Sequence, residues 1–216
     1  MEKRKIAIIV ASLREAGCEV RVVPDLCREI VNKSPDLADI AAGTVIACFP
    51  RAVEAQFDWL GLHVNRALDV RNSSCEDILG ALNVACAVTA DIIDATLAEI
   101  AAFPKEEGTD AWNPVIDKAR CTDCGRCHDF CLFGVYAIDN KRIVVKNPEK
   151  CKNNCPSCAR MCPNRAIIFP KYEKSPINGG IEEEETFNPE DMEKAYRERL
   201  RRKLQQRRES ILLLKK

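Results

Sequence analysis

No G-x-G-x-x-G run, no phosphate-binding loop and no nucleophile–base constellation occurs anywhere in the 216 residues. The first two absences argue against a bound dinucleotide or nucleoside triphosphate, and the third argues that the chain performs no substrate chemistry by itself. Histidine is scarce. His63 is expected in a turn and His128 in a solvent-facing loop, and neither carries an assignment. Neither sign of charge dominates: Lys and Arg number 33, as do Asp and Glu. A formal net charge of zero announces neither a nucleic-acid nor a membrane partner. No charge-free apolar stretch approaches the ~20 residues needed to span a bilayer. The start of the chain, MEKRKIAIIVASLREAG, is basic and then apolar, but Ser-Leu-Arg-Glu stands where a signal peptide would need a small-residue cleavage site. The expected location is the cytoplasm.

Cysteine is what the chain has in excess, at thirteen residues. Eight of them form two runs of four, separated by nineteen residues. The first is C-x2-C-x2-C-x3-C, through Cys121, Cys124, Cys127 and Cys131. The second is C-x3-C-x2-C-x3-C-P, through Cys151, Cys155, Cys158 and Cys162, followed by Pro163. A disulfide scaffold suits short secreted chains and does not explain two such runs. A tetrathiolate zinc ribbon has two C-x2-C pairs split by a longer loop, whereas each run here carries four cysteines of its own. Soft thiolates in this number suit iron–sulfur clusters.

Short apolar segments flank each run: Val115-Ile116 and residues 135–138 around the first, residues 143–145 and 165–169 around the second. They read as strands in an internal repeat. The first spacing, and the second with one residue inserted, resemble those of bacterial two-cluster ferredoxins. That resemblance implies an α+β ferredoxin-like domain in which the fourth cysteine of each run serves the other cluster. One [4Fe–4S] cluster would then use Cys121, Cys124, Cys127 and Cys162, and the second Cys131, Cys151, Cys155 and Cys158. Leu132 replaces the usual proline after the first run; no thiolate is lost. Apolar Phe130, Leu132, Val135 and Ile167 are expected to keep water from the clusters.

Residues 1–104 read as a small α/β domain. A helix is expected over residues 2–16, closed by Gly17. Strands are expected at 19–23, 44–49 and 67–70, and their apolar character, alternating with helices, indicates a parallel sheet. Helices are expected at 25–32, from Pro50 to about Leu60, and from Ser73, in a capping box with Glu76, to about Ala102. Cys27 follows the first strand, Cys48 ends the second and Cys75 follows the third. In a parallel sheet the strand carboxyl ends share one edge, where ligands bind, so these three cysteines are expected to converge in a third iron–sulfur site. Cys18 and Cys86 are read as ordinary buried cysteines, Cys86 within the last helix.

Val45-Ile46-Ala47-Cys48-Phe49-Pro50-Arg51 and Val70-Arg71-Asn72-Ser73-Ser74-Cys75 resemble the amino-terminal part of heterodisulfide reductase A-like proteins. There, an A-C-x-P-R segment and an R-x-x-C segment each supply a cluster ligand. Here the second is R-x-x-x-C, and the family's first cysteine segment and its flavin-binding part have no counterpart. The resemblance implies cluster ligands at Cys27, Cys48 and Cys75 and an electron-transfer assembly of anaerobes.

A Pro- and Gly-containing polar stretch near 105–109 marks a boundary, with the ferredoxin domain over 111–172 and a linker over 173–187. A long basic helix is expected over 188–216, opened by Asn188-Pro189, with a sparse apolar stripe (Met192, Tyr196, Leu200, Leu204). It reads either as a solvated helix lying on its own protein or as a docking arm anchored by residues 211–214 (ILLL) on a larger catalytic subunit. The expected function is an electron-transfer subunit of a cytoplasmic anaerobic oxidoreductase complex, working with that catalytic subunit and with other redox proteins. The small iron–sulfur subunit of tungsten-dependent benzoyl-CoA reductases is similar: a short chain with a two-cluster module and additional cysteines. The alternatives are a nucleic-acid-associated protein with structural clusters, supported by the basic tail alone, and a free-standing ferredoxin.

Overall fold

The computed structural model describes residues 2–103 and 112–180, with residues 193, 194, 196–198, 200–202, 204 and 205 of the C-terminal segment. The stretch near 105–109, the helix opening at Asn188-Pro189 and the 211–214 anchor lie outside the described residues.

The apolar run near the N-terminus is helical, as expected: α1 spans Glu2–Glu15. Gly17, at φ 77°, closes it. The N–H of Gly17 donates to the Arg14 carbonyl and that of Cys18 to the Leu13 carbonyl, both at 2.9 Å. This is the Schellman pair that satisfies two end carbonyls, and it depends on the left-handed conformation glycine adopts freely. Next come α2 (Leu26–Asn32), capped by the Asp25 carboxylate, and a short α3 (Leu37–Ala42). Strand β1 (Thr44–Ala47) pairs in parallel with β2 (Arg66–Asp69), Val45 opposite Ala67, and α4 (Pro50–Trp59) forms the crossover between them. Successive strand residues face opposite ways. Val45, Ala47 and Ala67 pack toward Ile30, Val53 and Phe57, whereas Ile46 and Leu68 pack toward Ile9, Leu13 and Ile78. The sheet is therefore sandwiched between helices.

Several expectations fail here. Residues 19–23 form no strand, so the parallel sheet has two strands and not three. Val20 still packs onto the α1 cluster, and Arg21 pairs with Asp36 at 2.5 Å. Val20, Val22 and Val23 are only half-buried, and no neighbouring strand offers a ladder. The long helix after β2 is two helices, α5 (Cys75–Ala81) and α6 (Ala90–Ala102). Asn83 adopts φ 57°, and the Val84 N–H returns to the Leu79 carbonyl at 2.9 Å, so α5 ends in a Schellman motif with asparagine in place of glycine. The capping box lies one residue later than expected, on Ser74 and Asp77. Cys86 falls in the break and is exposed, as is Cys18; neither is a buried core cysteine.

The cysteine repeat supplies β3 (Val115–Ile116), α7 (Arg126–Phe130) and β4 (Tyr136–Asp139), then β5 (Arg142–Val145), α8 (Ser157–Arg160) and β6 (Ile167–Ile168). Pairing is reciprocal: β3 with β6 and β4 with β5, both antiparallel. The first strand of each repeat thus joins the last strand of the other. Asn140 and Lys141, both with positive φ, make the two-residue turn between β4 and β5.

The repeat and the α/β part share an interface. Helix α4 lies over β3 and β6 through Ala52, Ala55, Val115 and Ile168. Arg51 at its start donates to Asp117 at 2.7 Å and to the Arg165 carbonyl, and Trp59 at its end donates to the Val145 carbonyl at 2.9 Å. The expected linker is also part of this interface where it is described. Residues 176–180 are buried, the Phe169 N–H donates to the Ile177 carbonyl at 2.8 Å, and Lys171 pairs with Asp25 at 2.6 Å. Gly179 and Gly180 make this possible, since they let the backbone close onto Ala52 and Phe49. The described residues of the C-terminal segment are helical. Among the described residues, no helix is long and apolar enough to cross a membrane.

Candidate metal centres

The eight cysteines of the repeat line two cavities, each about 360 Å³ counting space open to solvent. Cys121, Cys124, Cys127 and Cys162 line the first. Cys131, Cys151, Cys155 and Cys158 line the second. Reciprocal strand pairing explains the exchange of the fourth cysteines. Cys131 caps α7, its N–H on the Cys127 carbonyl at 3.0 Å, at the point where the chain leaves its own loop for β4 beside the other repeat. Cys162 occupies the equivalent position after α8, its N–H on the Ala159 carbonyl at 3.2 Å.

Electrostatics couples the thiols mostly within each cavity, although Cys158 also feels Cys127 of the other. Burial pushes the Cys127 thiol up to about 12, and Cys162, Cys121 and Cys124 add to the effect. Burial pushes Cys151 up to about 12, with Cys155 and Cys131 adding. Burial holds Cys158 well above its ordinary value, and the hydrogen bond from Tyr136 opposes this. Four thiols packed so closely cannot ionise together unless a cation shares the space, and a coordinated metal deprotonates them outright. Among the described residues, no group of three or more His, Cys, Asp or Glu side chains is placed to hold a metal ion. The donor set fits a larger cationic body that takes four thiolates on its periphery, as an iron–sulfur cluster does.

Several donors reach the sulfurs. The Tyr136 hydroxyl donates to Cys158 Sγ at 3.0 Å, and the Ala166 N–H to Cys162 Sγ at 3.3 Å. Such bonds tune a cluster's potential. Val135 and Tyr136 are buried beside the second cavity, but Leu132, expected to exclude water, is 42% exposed. His128 sits on α7 against Asp129 at 3.1 Å and lines neither cavity. The described part of the C-terminal helix contacts the first cysteine loop. Glu193 pairs with Arg126 at 3.4 Å, and the same guanidinium lies 5.4 Å from the Tyr196 ring. For these residues, the reading of a helix lying on its own protein describes the structure.

The three cysteines expected at the sheet edge do not converge. Cys27 and Cys48 do lie near each other: burial pushes the Cys48 thiol up to about 12, Cys27 adds, and Arg71 opposes. Gln56, from α4, donates to Cys27 Sγ at 3.2 Å. Cys75 packs instead with Ile9, Leu13 and Ile78 on the face of Ile46 and Leu68, beside Lys5 and Cys86. The turn after β2 causes this: Lys5 Nζ holds the Val70 carbonyl at 2.6 Å and draws the chain toward α1. Gln56 was not singled out from the sequence, although its position between Val53 and Phe57 on the buried face of α4 was a legible signal.

No family model matches the chain, and no solved structure does. Curated relatives do, among them three ferredoxins. An uncharacterized ferredoxin of Methanocaldococcus jannaschii is 45% identical over 75 residues, 34% of this chain and 50% of that protein. A second uncharacterized ferredoxin of the same organism is 37% identical over 58 residues, 26% of this chain and 74% of the relative. Ferredoxin-3 of Nostoc sp. is 33% identical over 88 residues, 31% of this chain and 90% of the relative. The match spans half the length of the first relative, but most of the second and third. By that coverage, and by the paired four-cysteine cavities, the chain belongs to the ferredoxins, the iron–sulfur electron-transfer family that its cysteine repeat resembles.

Proposed function

We propose that the chain is the iron–sulfur electron-transfer subunit of an anaerobic cytoplasmic oxidoreductase assembly. In this reading Cys121, Cys124, Cys127 and Cys162 hold one [4Fe–4S] cluster, and Cys131, Cys151, Cys155 and Cys158 hold the other. The observation that carries it is the lining of each cavity by four cysteines, three from one run and one from the other. When bound, each cluster supplies a one-electron couple. The chain's own residues supply the thiolates, hydrogen bonds from Tyr136 and Ala166, and apolar walls that limit water. The larger catalytic partner is proposed to engage the C-terminal helix, whose residues Glu193 and Tyr196 lie on the first loop at Arg126. Placement as the small subunit of a tungsten-dependent benzoyl-CoA reductase, or of a heterodisulfide-reductase-linked complex, rests on the segments around Cys48 and Cys75.

Iron and sulfide quantitation on anaerobically purified protein tests the reading. About eight iron atoms per chain are expected from the two runs. Iron beyond that number, lost in Cys48→Ala while eight remain, would assign a further cluster to the Cys27–Cys48 pair. A chain that takes up about one or two metal ions and no sulfide would be a thiolate metal protein of another kind, and the reading would fall.

A further inference from the structure

The two cavities differ at their rims. At the second, Leu132 and Phe133 are 42% and 40% exposed and line the cavity with Cys131, Cys151 and Cys155. Three exposed lysines belong to the segments that border it. The Lys146 N–H donates to the Val135 carbonyl at 2.9 Å, and the neighbouring Asn147 side chain donates to the Gly134 carbonyl at 2.9 Å. The Lys146 backbone is therefore fastened to the loop that carries Phe133, and Lys146 also lines the adjoining groove beside Ile138 and Val144. Lys150 and Lys152 flank Cys151 in the chain, and the acid among these exposed positions is Glu149. None of the three lysines has an ion-pair partner among the described residues. The first cavity has a different border. Asp123 and Asp129 are exposed beside it, and its Arg126 is already engaged by Glu193 and Tyr196.

The geometry points to an electron-exchange surface at Leu132–Phe133, ringed by Lys146, Lys150 and Lys152, that docks an acidic soluble redox protein onto the second cavity. An aromatic and an aliphatic side chain at the centre with a charged rim is the anatomy of a transient protein interface. Uncompensated lysines around it steer an acidic partner and repel a basic one, an effect of about tenfold or more on association rate that salt removes. The surface rests on the electron-transfer reading above and names the partner's chemistry. It also gives the chain two distinct ends: the first loop lies under its own C-terminal helix, and the second is open to a carrier.

The test uses the full, cluster-loaded chain, reduced with dithionite and mixed by stopped flow with one of two oxidised carriers, acidic plastocyanin or basic cytochrome c. With plastocyanin the second-order rate is expected to fall as salt rises. The combined K146E/K150E/K152E variant should lower it at least tenfold at low ionic strength, and the loss should vanish near 1 M salt. Phe133→Ser should lower it severalfold at every salt concentration. Cytochrome c should be slowed by none of the lysine reversals. A plastocyanin rate that stays within twofold in both variants overturns the surface while leaving the cluster reading intact. A wild-type chain with no iron and no dithionite-bleached absorbance overturns both.

Discussion

Tyr136 donates its hydroxyl hydrogen to the Sγ of Cys158 across 3.0 Å, and both side chains are buried. The bond crosses the repeat: Tyr136 opens β4 of the first half, whereas Cys158 belongs to α8 of the second. A hydrogen bond to sulfur favours the more negative, reduced cluster. Tyr136→Phe keeps the ring and removes the donor, and is expected to lower the potential of the second cluster. A bond worth about 1 kcal/mol more to the reduced state corresponds to about 40 mV for one electron. Redox titration followed by electron paramagnetic resonance reads the shift, with iron content unchanged. An unaltered potential would mean that the bond does not survive cluster binding.

The exchange of fourth cysteines gives a test in double variants. Cys162→Ala and Cys121→Ala line the same cavity, so combining them should lose no more iron than either alone. Cys162→Ala with Cys151→Ala strikes both cavities and should lose essentially all of it. Uncrossed ligation predicts the reverse pattern of iron loss.

Arg51 belongs to the segment resembling a cluster-binding motif, yet its guanidinium is spent on packing the two parts of the chain together. It pairs with Asp117 at 2.7 Å, the side chains 17% and 13% exposed, and also reaches the Arg165 carbonyl. Arg51→Ala leaves a mostly buried carboxylate with only the more distant and more exposed Arg120, at 3.7 Å, as its cation, and should cost about 1–3 kcal/mol. Urea unfolding of the loaded protein measures this. Loss of iron with unchanged stability would assign Arg51 to a metal site instead.

At Gly179 the backbone has φ 96°, and an added Cβ would lie 2.8 Å from Ala52 Cβ. Gly179→Ala is therefore both crowded and strained, and should cost roughly 2–4 kcal/mol. The Ala52→Gly, Gly179→Ala double variant removes the side-chain clash and should recover part of the loss. A neutral Gly179→Ala variant would show that residues 176–180 do not seal the α4 interface.

Much of the α/β part was legible locally. Gly17 closing α1, Pro50 opening α4 and the apolar run 44–47 carry their own punctuation, because helix ends and strands of that kind are set by nearest neighbours. Residues 19–23 show the limit of that reasoning. Their alternation is the same whether Val20 is buried by a strand neighbour or by α1, and only the presence of a partner strand makes a ladder. Asn83 was equally silent, since nothing beside it in the sequence announces a left-handed residue.

The cysteine spacings alone determined the chemistry: eight thiols in two runs of four, suited to soft, multinuclear metal groups, with strands on either side of each run. Ligand type and count are properties of residues and short loops, so the chain sequence is enough to state them. Which thiols meet is a property of strand pairing. The structure pairs β3 with β6 and β4 with β5, carries Cys131 and Cys162 across to the opposite cavities, and turns Cys75 away from Cys27 and Cys48. Apart from the β4–β5 hairpin, those relations join residues about twenty or more positions apart, and packing decides them.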